Sequence, residues 1–315
     1  MTEPILEATG LVKRFPGANG SSVLAVDDVD LVVGEAETHA LVGESGSGKT
    51  TTGRLLVRLL EPDAGSTRFR GQELYSLGPG EMRRARRHLQ MIFQDPYSSL
   101  DPRQPVWRSV SEPWDVHRVH RPENRRARAE ELLAKVGVDP ALAGRLPARF
   151  SGGQRQRIGI ARALALEPSL IVCDEPVSSL DLSVQAQILN LLLDLQAELG
   201  LSYVLVAHDL AMVRHVATRV SVMHRGRVVE TGTRDQIFDH PEHPYTEALL
   251  AAAVAIDPLD PAEPAVPGAE EGEVPYGDAC LYRDRCPRAG DVCAAERPEL
   301  IERGQGHPVA CFFPD

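Results

Sequence analysis

The segment that most limits how this chain can fold is Gly43-Glu44-Ser45-Gly46-Ser47-Gly48-Lys49-Thr50, which follows a strand-like stretch over 38–42. It fits G-x-x-x-x-G-K-[ST] where a strand meets a helix, the context the motif needs. Glycines let consecutive backbone N–H groups turn inward around phosphate oxygens, and the helix N-terminus adds its dipole. Lys49 then supplies a point charge to the β- and γ-phosphates of a nucleotide, and the Thr50 hydroxyl a ligand for Mg²⁺. Only residues 13, 49 and 135 among the 34 basic ones are lysine, so each raises the question of why arginine was not used. On the motif alone a glycine-rich surface turn is the alternative.

The rest of the chain supplies the setting such a loop requires. Strands are expected over 29–33, 38–42, 170–173 and 203–207; the last two are short, unbroken apolar runs, as in strands buried on both faces of a parallel sheet. Between those two runs, Ile188, Leu189, Leu192, Leu195 and Leu199 fall at three- and four-residue spacing, an amphipathic helix over 185–199. Strand–helix–strand order argues for a doubly wound α/β core. The segment 94–166 differs, with many arginines, few strand signals and helices expected over 123–136 and 154–166. It reads as a helical subdomain inserted into the core.

Two further motifs bear on chemistry. Residues 170–175, LIVCDE, form an apolar strand that opens into Asp174 and Glu175 at its C-terminal end. That places Asp174 near the Mg²⁺ and lets Glu175 polarise the water that attacks the γ-phosphate. By itself the segment is equally a strand followed by an acidic loop; its position 124 residues after Thr50 favours the functional reading. Ser151-Gly152-Gly153-Gln154 puts a small hydroxyl and two glycines at a helix start, a second anion-binding turn or, in isolation, an ordinary capped helix.

Together these segments resemble the nucleotide-binding domain of an ABC transporter. Residues 43–50 match its Walker A loop, Ser151 to Gln154 its signature motif and residues 170–174 its Walker B strand. By the same resemblance Gln94 is the Q-loop glutamine and a further Mg²⁺ ligand, Thr51 joins the nucleotide contacts, Asp181 belongs to the D-loop and His208 senses the γ-phosphate. Phe15 takes the place of the aromatic that stacks on adenine; a strand-edge phenylalanine is the plainer reading. Two departures are Phe150, where the family usually has Leu, and Ser179, where Ala is common. The implied fold is α/β, a P-loop NTPase (RecA-like) core with an inserted helical subdomain, a small β region and a short cysteine-rich C-terminal extension.

The segments FQDPYSSLDP (93–102) and CDEPVSSLDLSVQAQILNLL (173–192), with HPYT at 243–246, narrow the resemblance to the oligopeptide/dipeptide (and nickel) importer ATPases, second-ATPase type. The resemblance implies an ATPase that powers import of di- or oligopeptides from the cytoplasmic face of the cell membrane. A nickel or other small-solute importer is the alternative. It implies as partners a second ABC ATPase, a paralogue forming a heterodimer, two transmembrane permease subunits and an extracytoplasmic solute-binding protein. Residues 95–103 would meet a coupling helix of the membrane partner. Nucleic acid is not an expected partner, because 34 basic against 45 acidic residues leave a net charge of −11 and no excess to neutralise phosphates. The longest apolar run, 249–256, is far short of the roughly 20 residues that span a bilayer. About 100 residues between the two anion-binding motifs leave no room for the long coiled coil of a DNA-repair ABC ATPase, and a translation-type ABC protein would carry two cassettes.

Domain boundaries are expected at 1–256 for the nucleotide-binding domain, 257–277 for a Pro/Glu-rich linker and 278–315 for the cysteine-rich extension. That extension holds four of the five cysteines, Cys280, Cys286, Cys293 and Cys311. Their x5, x6 and x17 spacing lacks the C-x₂₋₄-C pair of zinc ribbons and knuckles. Four thiolates converging from loops suit an iron–sulfur cubane, with zinc and free thiols or stray disulfides as alternatives. The importer family's cysteine tail is likewise implied to hold a [4Fe–4S] cluster.

Overall fold

The computed structural model describes residues 3–17, 22–95, 99–178, 180–255, 278–302 and 304–314. The linker expected over 257–277, most of the YSS stretch at 97–99 and Ser179 lie outside the described residues. The first half of the chain runs β1 (Leu6–Pro16), β2 (Ser22–Val33), β3 (Thr38–Val42), α1 (Lys49–Leu56), β4 (Ala64–Phe69), β5 (Gln72–Glu73), α2 (Pro79–Ala85) and β6 (Leu89–Ile92). Three helices follow, α3 (Val106–His117), α4 (Pro122–Lys135) and α5 (Gly152–Leu164). The chain then returns to alternation with β7 (Leu170–Asp174), α6 (Leu182–Leu199), β8 (Ser202–Ala207), α7 (Leu210–Val216), β9 (Arg219–His224) and β10 (Arg227–Thr233), and closes with α8 (Arg234–Asp239), α9 (Pro244–Ala255) and α10 (Asp291–Ala295).

These strands form two sheets. One is antiparallel, in the order β2-β1-β4-β5; the other has the order β10-β9-β3-β8-β7-β6 and is parallel apart from its edge strand β10. The central strands of the second sheet are buried on both faces, which is why they read as unbroken apolar runs. In β7, Ile171 and Cys173 face the core shared with α3–α6, whereas Leu170 and Val172 face the core shared with α1 and the antiparallel sheet. Every βα crossover therefore delivers its loop to the C-terminal edge of the parallel strands, where ligands of such sheets bind.

Several elements start earlier than their apolar pattern suggests. The strand expected over 29–33 begins at Ser22, because Asp27 and Asp28 interrupt the pattern without ending the pairing. The Asp27 carboxylate accepts from Arg227 Nε and Arg297 Nη1, both at 2.8 Å, so a charged residue is tolerated within the strand. Helices α5 and α6 begin at Gly152 and Leu182, each set by a polar N-cap, Ser151 and Asp181, whose side chain accepts from a backbone N–H of the first turn.

Residues 307–310 close the exposed edge of β10. The Ala310 N–H donates to Val229 O at 2.8 Å and the Thr231 N–H to Pro308 O at 3.0 Å. Glu230, with none of its surface exposed, accepts from Glu242 N (2.8 Å), His243 N (3.1 Å) and His307 Nε2 (2.7 Å). Removing that carboxylate leaves two buried donors and one part-buried donor without an acceptor. Glu230→Ala should weaken docking of the C-terminal segment by about 3 kcal/mol. Amide hydrogen exchange at Thr231 and Ala310 should then accelerate on the order of a hundredfold, and unchanged protection there would refute the latch.

Candidate active site

The phosphate-loop candidate leaves β3, whose five residues are all buried, and enters α1 at Lys49. Two of its glycines are required by space as well as by backbone angle. At Gly43 (φ +149) a Cβ would lie 2.1 Å from Met223 O, and at Gly48 (φ +101) 2.1 Å from Ala25 O. No side chain fits either place, so the loop is clamped between β9 and β2. Ser45 and Gly46 stand exposed at its crest, while Ser47 and Lys49 are buried beneath.

The Lys49 ammonium donates to Gly43 O (2.8 Å), Glu44 O (2.7 Å) and Ser47 Oγ (3.3 Å). Burial lowers its pKa against the opposing pull of Glu175, Asp174 and Glu44. A compact ammonium with three rotatable donors can reach all these oxygens inside a turn, which the planar fork of an arginine cannot. The Thr50 hydroxyl donates to Asp174 Oδ1 at 2.8 Å, joining the loop to the end of β7. Burial raises the Asp174 pKa, partly offset by that hydrogen bond and by Arg54. A hydroxyl beside a carboxylate at the mouth of the sheet is a hard oxygen donor set, and Mg²⁺ takes one or two protein oxygens together with phosphates and water.

Glu175 takes a left-handed backbone, φ 44, with its N–H donating to Val206 O at 3.0 Å. Such a conformation at a non-glycine residue is strained and concentrates at functional sites. Its carboxylate accepts from Gln94 Nε2 at 2.8 Å and lies 3.2 Å from His208 Nδ1. Thus residues from the ends of β6, β7 and β8 converge on one carboxylate beside the loop. Ser178, the first residue of the stretch that resembles the D-loop (178–181), adds a hydroxyl that donates to Glu175 O at 3.3 Å.

Seven further candidate residues lie outside this cluster. The Ser151 side chain accepts from Gln154 N (3.3 Å) while Gln154 Oε1 accepts from Ser151 N (3.0 Å), a reciprocal cap at an exposed helix start. Behind it a Cβ on Gly153 would lie 2.4 Å from Val184 Cγ1, so the turn is packed against the start of α6. Asp181 accepts from Ser183 Oγ (2.7 Å) and Val184 N (3.0 Å), and these bonds lower its pKa. Among the described residues, no hydrogen bond or ion pair joins Ser151, Gly152, Gly153, Gln154 or Asp181 to residues 43–50. Phe15, half-buried, pairs with Val23 of β2, two residues before the Ala25 that abuts Gly48. Thr51 lies in the first turn of α1.

The cysteine extension, expected to be remote from the nucleotide motifs in sequence, packs onto the phosphate loop. Tyr282 and Tyr245 meet at 5.4 Å between ring centroids, and Tyr245 lies 4.3 Å from His224 at the end of β9. Burial pushes His224 down to about 3 and His243 down to about 4, so both rings are neutral near pH 7. Cys280, Cys286, Cys293 and Cys311 all line one pocket and none is in a disulfide. Among the described residues no three His, Cys, Asp or Glu side chains are placed to hold a single metal ion. Cys173 has no part in it; it is buried in β7, and burial raises its thiol pKa steeply.

A glycine loop over a buried lysine, a hydroxyl–carboxylate pair and a strained glutamate at the mouth of a parallel sheet define a P-loop ATPase cassette. Residues 26–178 match the model of the ABC transporter family, and residues 229–293 that of the oligopeptide/dipeptide transporter C-terminal region. The chain is 47% identical to a probable peptide ABC transporter ATP-binding protein of Sinorhizobium fredii, covering 99% of this chain and 90% of that one. It is 42% identical to an oligopeptide transport ATP-binding protein of Bacillus subtilis, covering 99% and 98%. A solved ATP-binding cassette, a dimer in a post-hydrolysis state with ADP and phosphate, superposes with a TM-score of 0.66 at 28% identity over 73% of this chain and 98% of that one. The chain belongs to the ABC transporter ATP-binding proteins of the oligopeptide/dipeptide group, and its enzymatic class is ATPase. No helix among the described residues is long and apolar enough to cross a membrane.

Proposed function

We propose that this chain hydrolyses ATP to energise import of di- or oligopeptides through a membrane ABC transporter. The observation that carries the reading is the convergence of Lys49, Thr50, Asp174, Gln94, Glu175 and His208 at one edge of the parallel sheet. The loop N–H groups and Lys49 bind the phosphates. Thr50 and Asp174, with Gln94, would hold Mg²⁺, which when bound would neutralise phosphate charge. Glu175 accepts a proton from the attacking water, oriented by Gln94 and His208 on either side of its carboxylate. Phe15 meets the adenine. The names of the relatives support the peptide cargo, and nickel or another small solute is the second reading.

The separation of the Ser151-Gly152-Gly153-Gln154 turn from the chain's own phosphate loop supports a composite site. In a head-to-tail dimer, one subunit's turn and Asp181 would close over the nucleotide held by its partner's loop, with a paralogous ATPase as that partner. The nucleotide-binding domain (1–256) would act at the cytoplasmic face of the cell membrane with two permease subunits and an extracytoplasmic solute-binding protein, joined by the 257–277 linker to the extension (278–315). Ser151→Arg tests this. Co-purified with its partner ATPase and permeases, the variant should bind ATP at its own loop with unchanged affinity yet lose most turnover at the facing site. Full turnover in that complex would rule out the composite arrangement.

The four thiols of the extension line one pocket, and their donor type and spacing support a [4Fe–4S] cluster. Cys280, Cys286, Cys293 and Cys311 would hold it, and it would cross-link a segment with too small a core to fold alone. Anaerobically purified protein should be brown and contain iron and sulfide in equal amounts. Colourless protein with stoichiometric zinc would overturn the assignment.

A further inference from the structure

The start of α9 and the extension both grip the phosphate loop at Glu44. Its N–H donates to the Tyr245 hydroxyl at 3.0 Å, and its carboxylate Oε1 lies 3.2 Å from Arg285 Nη2. Its carbonyl, on the other side, accepts from Lys49 Nζ (2.7 Å) and from Ser47 N (3.2 Å). The residue that Lys49 leans on is therefore gripped from outside the loop by two side chains 201 and 241 residues further along the chain.

Both grips are themselves fixed. Tyr245 is 1% exposed, with its ring against His224 and Tyr282. Its partner His224 follows Met223, whose carbonyl sets the close approach at Gly43. Arg285 carries its guanidinium 5.6 Å from the centroid of the Tyr282 ring, which limits the directions it can take toward Glu44. A hydroxyl held this rigidly fixes the orientation of the Gly43–Glu44 peptide plane, and with it the Gly43 carbonyl that accepts from Lys49.

We propose that Tyr245 and Arg285 are positioning residues for the phosphate loop, setting its geometry for nucleotide from the α9 start and the cysteine-bearing extension. Tyr245 contributes more, because its side chain is buried and its bond is to backbone, whereas the Arg285–Glu44 pair joins two partly solvated side chains and is correspondingly weak. Losing either grip lets the 43–44 peptide rotate and lowers affinity for nucleotide without touching the chemical step. The inference rests on the nucleotide-binding reading of residues 43–50.

The test uses the full chain and a fluorescent ATP analogue, with steady-state KM and kcat measured in parallel. Tyr245→Phe should raise the analogue's Kd and the KM for ATP about fivefold with kcat within twofold, the effect of one hydrogen bond to the loop backbone. Arg285→Ala should raise both about twofold, Arg285→Lys should restore part of the loss, and Arg285→Ala combined with Glu44→Gln should be no worse than the more severe of the two alone. Melting temperatures within two degrees of wild type are expected throughout. If Tyr245→Phe and Arg285→Ala bind the analogue as wild type does while Lys49→Ala does not, the positioning role is wrong and the loop assignment stands. Unchanged binding in Lys49→Ala as well overturns both. A rise in Kd that disappears when corrected for the folded fraction makes Tyr245 structural only and also overturns the proposal.

Discussion

Replacing Glu175 by Gln is expected to reduce ATP turnover by about 10²- to 10⁴-fold, the range contributed by a well-placed general base. The amide keeps the shape of the carboxylate, and its oxygen can still accept from Gln94 Nε2, now 2.8 Å away. What it loses is the capacity to take a proton. Nucleotide affinity should stay within about twofold, since Lys49 and the loop N–H groups are untouched, so kcat falls while binding does not. Phosphate release and equilibrium binding of a nucleotide analogue measure the two quantities separately. Turnover within a few-fold of wild type would remove Glu175 from the base position. The left-handed backbone at this residue, φ 44, adds a second handle. Glu175→Gly should relieve strain of about 1 kcal/mol and raise stability while abolishing activity.

Lys49→Ala should act on the other half of the split. Three hydrogen bonds to the loop are lost together with the one ammonium near Asp174 and Glu175. Charge-assisted bonds of this kind contribute about 1.5–3 kcal/mol, so affinity for ATP should drop by roughly 10- to 100-fold, with hydrolysis falling at least as far. Lys49→Arg should not rescue, because a planar fork cannot fold under the loop to reach two consecutive carbonyls. Isothermal titration with ATP in the presence of Mg²⁺ distinguishes the outcomes. Affinity equal to wild type would discard the phosphate-loop assignment.

The parts of the site that were legible in sequence are those in which chemistry is local. The loop carries its own glycines, lysine and threonine within eight residues, and the Asp174–Glu175 pair is announced by the strand that ends in it. Ser151 and Asp181 announce their helices through short side-chain caps, although the apolar periodicity alone placed each helix start two or three residues late. What sequence did not disclose is the support from a distance. Tyr245 lies within the HPYT stretch that had marked only a family likeness, and nothing around it predicts a hydroxyl beneath the phosphate loop. Arg285 sits among cysteines that drew attention to metal rather than to charge. Glu230 is the one acidic residue of the mixed strand RVVETGT, and its acceptor role emerges only when His243 and His307 arrive beside it. No periodic pattern encodes a contact between residues 201 apart; apolar spacing reports which face of an element is buried, not which side chain waits on the far side.

The edge strand β10 also sets a schedule for synthesis. Glu230 and His307 are 77 residues apart, which is roughly 4–15 s of ribosome travel at 5–20 residues per second. Throughout that interval the sheet ends in an unpaired row of backbone groups around a carboxylate that lacks one of its donors. A nascent cassette is thus open to strand addition by another chain until its own last-made segment arrives. Slow translation between positions 230 and 307 lengthens that exposure, so codon choice in this stretch bears on how much of the protein reaches its transporter unaggregated.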